Sequence, residues 1–172
     1  MSKGVKTKLA MCAAMSLTVG GCASITQYIG DPDERWADYK SWTLVTEKPS
    51  TGKSLGLGAV HKGAEGYRMV YVNDAGRDTI TGEGPYEYPV GTVIVKEQYD
   101  DRAAFESGMG MDITVSLKVS DDAEKPVDNW QWAASFKAKA KADTFCSSCH
   151  SIPFAKDYVF SNVTYLAQNE GK

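Results

Sequence analysis

Apolar and polar residues follow two different periods along this chain. Trp36, Tyr39 and Trp42 or Thr43 recur three to four residues apart behind Asp33 and Glu34, two acids suited to a helix N-terminus. A short helix with one aromatic face is therefore predicted from Asp33. From Leu44 the period drops to two, and β-branched stretches alternate with clusters of Gly, Pro, Asn and Asp, the pattern of antiparallel strands and turns. The clearest predicted strands are 67–72, 92–99, 113–119 and 130–136. In the third, Ile113, Val115, Leu117 and Val119 share one face while Thr114, Ser116 and Lys118 share the other, as a half-buried strand requires. The second has Val93, Ile94 and Val95 at its centre, which predicts burial on both faces. After Lys137 an alternation of alanine and lysine favours helix by propensity.

The first 21 residues do not fit this scheme. Lys3, Lys6 and Lys8 precede an apolar run from Leu9 to Val19 that ends in Gly20 and Gly21. That is the layout of an export signal, and the run is too short for a spanning helix, which needs about 20 apolar residues. The junction Val19-Gly20-Gly21-Cys22 resembles a bacterial lipobox, which predicts acylation of Cys22. Each buried methylene contributes about 0.8 kcal/mol, so several acyl chains would hold the protein on a membrane. The expected organisation is a lipoprotein signal peptide over 1–21, a lipidated tether over 22–32 and one domain over 33–172, on the periplasmic face of a bacterial membrane, the outer membrane being expected.

Composition narrows the class. With 42% hydrophobic and 24% charged residues the chain is globular in character. Removing the signal takes away three lysines and no acids, so the formal charge moves from −3 to −6 and nucleic acid is not an expected partner. Of the four cysteines, Cys12 falls in the signal and Cys22 is the acylation site, which leaves Cys146 and Cys149.

Those two stand in Cys146-Ser147-Ser148-Cys149-His150, the attachment pattern of a c-type haem. Two intervening residues let both sulfurs add to the vinyl groups of one porphyrin, and the adjacent imidazole can then reach the iron. A disulfide, a zinc site or a thioredoxin-like pair each accounts for less. Zinc wants four ligands and His61 is the sole other histidine; a thioredoxin motif belongs to a βαβ pattern. The 22 residues after His150 hold neither methionine nor histidine, so a sixth iron ligand would come from upstream: His61, Met69, Met109, Met111 or a lysine. Five-coordinate iron is the other outcome. A four-helix cytochrome is excluded by the strands, and the predicted fold class is mainly β (α+β): an antiparallel sheet, a few short helices and a C-terminal haem attachment segment.

Segments 66–73, 88–97 and 157–161, together with Trp36, Tyr39, Trp42, the Asn129-Trp130-Gln131-Trp132 strand start and the haem motif, resemble the cytochrome P-460 family over most of the mature chain. The resemblance implies a dimer with His150 as proximal ligand and an open distal face for small nitrogen species. It also implies one of two activities. Cytochrome P-460 proper oxidises hydroxylamine and carries a lysine bonded to a haem meso carbon; its relative, cytochrome c-prime-beta, lacks that bond and binds nitric oxide. The family's lysine falls at Lys96, which makes a Lys96–haem cross-link an expectation, and its distal arginine falls at Arg68.

Without the family, Lys96 and Arg68 read as strand residues with solvated side chains, except that a lysine inside an apolar strand asks for a partner, because a buried ammonium tends to lose its proton. His61 sits in a glycine-rich turn and is a candidate sixth ligand. The hydroxylamine-oxidising members carry a glutamate on the strand before the Asp-Asn-Trp turn, and Ser116 stands there in this chain. Serine is a poor base near neutral pH, so the enzymatic reading weakens, with Asp112 and Glu106 as substitute carboxylates. The expected partners are a small nitrogen-containing ligand or substrate, a periplasmic electron acceptor, the membrane and a second copy of the chain. The alternatives are a plain electron carrier with six-coordinate iron and a nitric oxide binding or sensing protein without turnover.

Overall fold

The computed structural model describes residues 31–46, 67–152 and 155–160. Five strands, β1 (Thr43–Thr46), β2 (Tyr67–Val72), β3 (Val93–Tyr99), β4 (Asp112–Lys118) and β5 (Trp130–Ala133), form one antiparallel sheet in chain order. Among the described residues three short helices, α1 (Asp74–Thr81), α2 (Arg102–Ser107) and α3 (Thr144–His150), accompany the sheet, giving the α+β, mainly β fold that the alternation predicted.

Strand period separates the side chains into two layers. One face buries Tyr71, Val93, Val95, Ile113, Val115, Leu117 and Ala133 beneath Trp36 and Tyr39. The other buries Val70, Val72, Ile94, Trp130 and Trp132 with Ile80, Tyr88 and Val159. Each such side chain, fully buried, contributes roughly 1.5–3 kcal/mol, so the two layers together hold the sheet. As predicted for β3, its centre is buried on both faces.

The first layer encloses a carboxylate. Glu97 has no exposed surface and accepts hydrogen bonds from the hydroxyls of Tyr39 at 2.6 Å and Tyr99 at 3.1 Å. Lys40 forms an ion pair with it from the surface side.

Two predicted helices are absent. The segment from Asp33 forms turns and a 3-10 turn at Tyr39–Ser41, closed by bonds three residues apart: Trp36 N–H to Asp33 O and Tyr39 N–H to Trp36 O. Bulky aromatics have modest helix propensity, and burying Trp36 and Tyr39 on the sheet decides the geometry. The alanine–lysine run leaves a turn at 136–137 and forms no helix, with one antiparallel bridge at Lys141. Lys141 exchanges backbone hydrogen bonds with Trp132 at 2.9 and 3.1 Å, while Ala138 and Ala140 pack on the core. Its strict alternation has a strand's period, and pairing beside β5 overrode propensity.

α1 and α2 were not foreseen, although their caps are visible in the sequence. Asn73 accepts from the N–H of Gly76, and Asp101 from that of Ala104. Asn73 also accepts from Val93 N–H at 3.0 Å, which ties the start of α1 to β3. A Cβ on Gly76 would lie 2.4 Å from the Thr92 methyl, so glycine there is what lets α1 lie against the sheet.

Candidate functional site

Register gathers the chemistry on the second face. Across β2, β3 and β4, Arg68 stands opposite Gln98 and Gln98 opposite Asp112; the next row is Val70, Lys96 and Thr114; the next is Val72, Ile94, Ser116 and, on β5, Trp132. Arg68, Lys96, Asp112 and Ser116 thus share one face although 48 positions separate the first from the last. Arg68 is buried, not a surface charge, and Lys96 is partly buried.

α3 closes over this face. Asp143 caps it, accepting from the N–H groups of Phe145 and Cys146 at 3.0 Å each, and these bonds hold its carboxyl below the usual carboxylate range. Cys146 and Cys149, three positions apart on one helical face, are not bridged. Cys146 packs against the Trp130–Trp132 layer, and burial pushes its thiol up to about 11.

His150 follows at the last turn of the helix. Its ring lies 6.0 Å from that of Trp132 and 5.0 Å from that of Phe160, and its Nδ1 is 2.7 Å from the Tyr158 carbonyl oxygen. Burial, opposed by that carbonyl and helped by Lys96, brings its pKa down to about 4. At neutral pH the ring is therefore neutral, with Nδ1–H donating to Tyr158, so that Nε2 is the nitrogen that carries the lone pair, the type of donor that ligates a metal.

Burial, then repulsion from Arg68, lowers Lys96 to about 7 from an ordinary 10.5, with Cys146 and Cys149 acting in the opposite direction. The lysine from β3 and the motif from α3, some 50 positions apart, are electrostatic neighbours.

Two expected axial candidates belong elsewhere. Met69 packs in the first layer, accepting from the Tyr71 hydroxyl, and Met111 accepts from the Tyr99 hydroxyl at 3.3 Å. Met109 is 70% exposed. Glu106 is an exposed residue of α2 paired with Arg102 at 2.7 Å, far from the role of a buried base. His61 and Cys22 lie outside the described residues. One residue that sequence reasoning missed is Lys118. Its parity predicted a polar strand face, yet it is buried against Asp157 at 2.7 Å, 39 positions downstream.

Two thiols on one helical turn, a neutral imidazole oriented through its Nδ1 and a sheet face of Val70, Ile94 and Trp132 are what a covalently held porphyrin needs, and the donor set fits haem c. Among the described residues no group of three or more His, Cys, Asp and Glu side chains is arranged to hold a metal ion by itself. Fold and site together define a β-sheet cytochrome of the c type.

The family model described as Cytochrome P460 matches residues 36–161, most of the chain, and the chain belongs to that family. No curated protein matches it.

Proposed function

We propose that the chain is a periplasm-facing lipoprotein, anchored through Cys22, whose single haem is bound by Cys146 and Cys149 with His150 as proximal ligand. Haem held there would take small nitrogen species, nitric oxide or hydroxylamine, and would pass electrons to a periplasmic acceptor. A bound haem supplies an iron that exchanges single electrons and coordinates such ligands.

The observation that carries this reading is the convergence of Lys96 and Arg68 with the haem motif on one sheet face. His150, neutral and oriented by Tyr158, offers Nε2. Arg68 would donate hydrogen bonds to a ligand oxygen. Lys96, lowered to about 7, spends much of its time as a neutral amine at neutral pH, the form able to attack a porphyrin edge. Ser116, on the row between Ile94 and Trp132, has no basicity to take protons from hydroxylamine. Ligand binding is therefore favoured over rapid turnover. Met69 and Met111, bonded in the opposite layer, do not support a six-coordinate carrier.

One observation favours hydroxylamine oxidation as a second reading. Asp112, exposed at the start of β4, stands on the same face as Arg68, with Gln98 between them, so a carboxylate lies at the edge of that face even though Ser116 is not one.

Visible spectra of the reduced holoprotein, with and without nitric oxide or carbon monoxide, test the proposal. Ligand-dependent bands are expected, and haem should stay on the polypeptide through acidic organic extraction. Spectra indifferent to both gases would favour the six-coordinate carrier. Extractable haem would defeat the assignment of Cys146 and Cys149.

A further inference from the structure

The imidazole of His150 is oriented by a main-chain carbonyl, so whatever holds that carbonyl acts on the haem ligand. Tyr158 and Asp157 both have positive φ, 64° and 46°. Two successive non-glycine residues in that region are uncommon, and such backbone persists where its surroundings over-determine it. Lys156 and Val159 exchange backbone hydrogen bonds at 2.9 and 3.0 Å, so Asp157 and Tyr158 form the two-residue tip of a tight hairpin, a place where Asn-Gly is the favoured pair.

The carboxylate of Asp157 supplies the restraint. Its Oδ2 accepts from Lys118 Nζ at 2.7 Å and from Tyr88 N–H at 2.9 Å, and its Oδ1 accepts from Trp130 Nε1 at 3.2 Å. These donors come from β4, from the segment before β3, and from β5. Lys118 is 3% exposed and also meets Asp121 at 3.2 Å. A buried ammonium thus points from the sheet into the turn that carries the Tyr158 carbonyl.

We propose that Asp157 is a positioning residue for the proximal haem ligand. Clamped by Lys118, Trp130 and Tyr88, it holds the left-handed Asp157-Tyr158 turn and keeps the Tyr158 carbonyl on His150 Nδ1. A strong bond from Nδ1–H gives the ring partial imidazolate character and raises its donation to iron, which favours the ferric state. The clamp therefore sets both the ring's orientation and the iron's preference between its two oxidation states. This inference rests on His150 being the axial ligand.

Asp157→Asn and Lys118→Met holoproteins provide the test. Asparagine keeps an acceptor oxygen and tolerates left-handed backbone, but it removes the charge that Lys118 meets. Both variants should retain one covalent haem per chain. In both, the iron–histidine stretching band of the reduced protein should move to lower frequency and the midpoint potential should rise. Combining the two should add little to either alone, because they break one clamp. Tyr39→Phe, which weakens the opposite layer, should leave band and potential at wild-type values. If Asp157→Asn and Lys118→Met lower the melting temperature while band and potential stay put, the role is structural and the proposal is overturned. Should Asp157→Asn not fold, Lys118→Met carries the same comparison alone. A wild-type protein with covalent haem but no iron–histidine band would instead refute His150 as ligand, and the inference with it.

Discussion

Replacing Lys96 by methionine, in a chain kept free of haem by Cys146→Ala and Cys149→Ala, should stabilise the fold, and do so only over a defined pH range. Folding takes this amine from an ordinary 10.5 to about 7, chiefly by burial and then by the neighbouring Arg68. At about 1.4 kcal/mol per pH unit, that fall corresponds to a penalty of roughly 5 kcal/mol against the charged form. Lys96 keeps part of its surface in water, and screening reduces the expected effect to about 2–3 kcal/mol. The sign follows from proton counting. Between pH 7 and 10.5 the unfolded chain holds a proton on Lys96 that the folded chain has released, so wild-type stability rises with pH across this window. Below it both states are charged and the whole penalty is present; above it both are neutral and the penalty vanishes. Urea unfolding of the two proteins from pH 6 to 11 measures the difference. Lys96→Met should be the more stable protein at pH 6, and the gap should close towards pH 11. A gap that is constant with pH would mean that the amine is solvated in the folded chain, and the case for a reactive neutral lysine beside the haem motif would fall with it.

Other outcomes follow from the same geometry. His150, lowered to about 4 from 6.5, should make the haem-free fold lose stability as pH falls from 6.5 to 4, by up to about 3 kcal/mol; a His150→Gln chain lacking that acid sensitivity supports the assignment, and one retaining it in full does not. Ser116→Glu should raise hydroxylamine oxidation with a chemical oxidant, within the hundred- to ten-thousand-fold typical of about one general base, at unchanged haem content. Fast wild-type turnover that Ser116→Glu leaves alone would move the base to Asp112. Glu97→Gln, which weakens the bonds from Tyr39 and Tyr99 and leaves Lys40 without its counter-ion, should cost about 2–4 kcal/mol in denaturant unfolding; a loss below about 0.5 kcal/mol would show that the buried carboxylate is not structural. Cys22→Ala should release the protein from membranes, and undiminished membrane association would rule out the lipid anchor.

Local chemistry made much of this protein legible in its sequence. Alternation over 67–72, 92–99 and 113–119 identified three strands to within a residue or two at each end, because side-chain period is a property of the strand itself. The spacing of Cys146, Cys149 and His150 pointed to haem c, the cofactor that membership of the family implies, because an attachment motif requires only that three side chains lie close together in the chain. Where a long-range contact competed with local preference, the sequence misled. Ala138 and Ala140 read as helix until Trp132 offered a strand partner, and the aromatic stretch from Asp33 read as helix until Trp36 and Tyr39 found the sheet. Register was equally invisible. Only antiparallel pairing sets Lys96 between Val70 and Thr114 and lines up Arg68, Gln98 and Asp112, and only folding brings that face to α3. The lowered pKa values of Lys96 and His150 arise from that meeting, since desolvation and neighbouring charge belong to a site and not to a residue type. Lys118 and Asp157 make the same point: each reads as a solvated charge, and 39 positions of chain must fold before they become one ion pair beside the turn that meets His150.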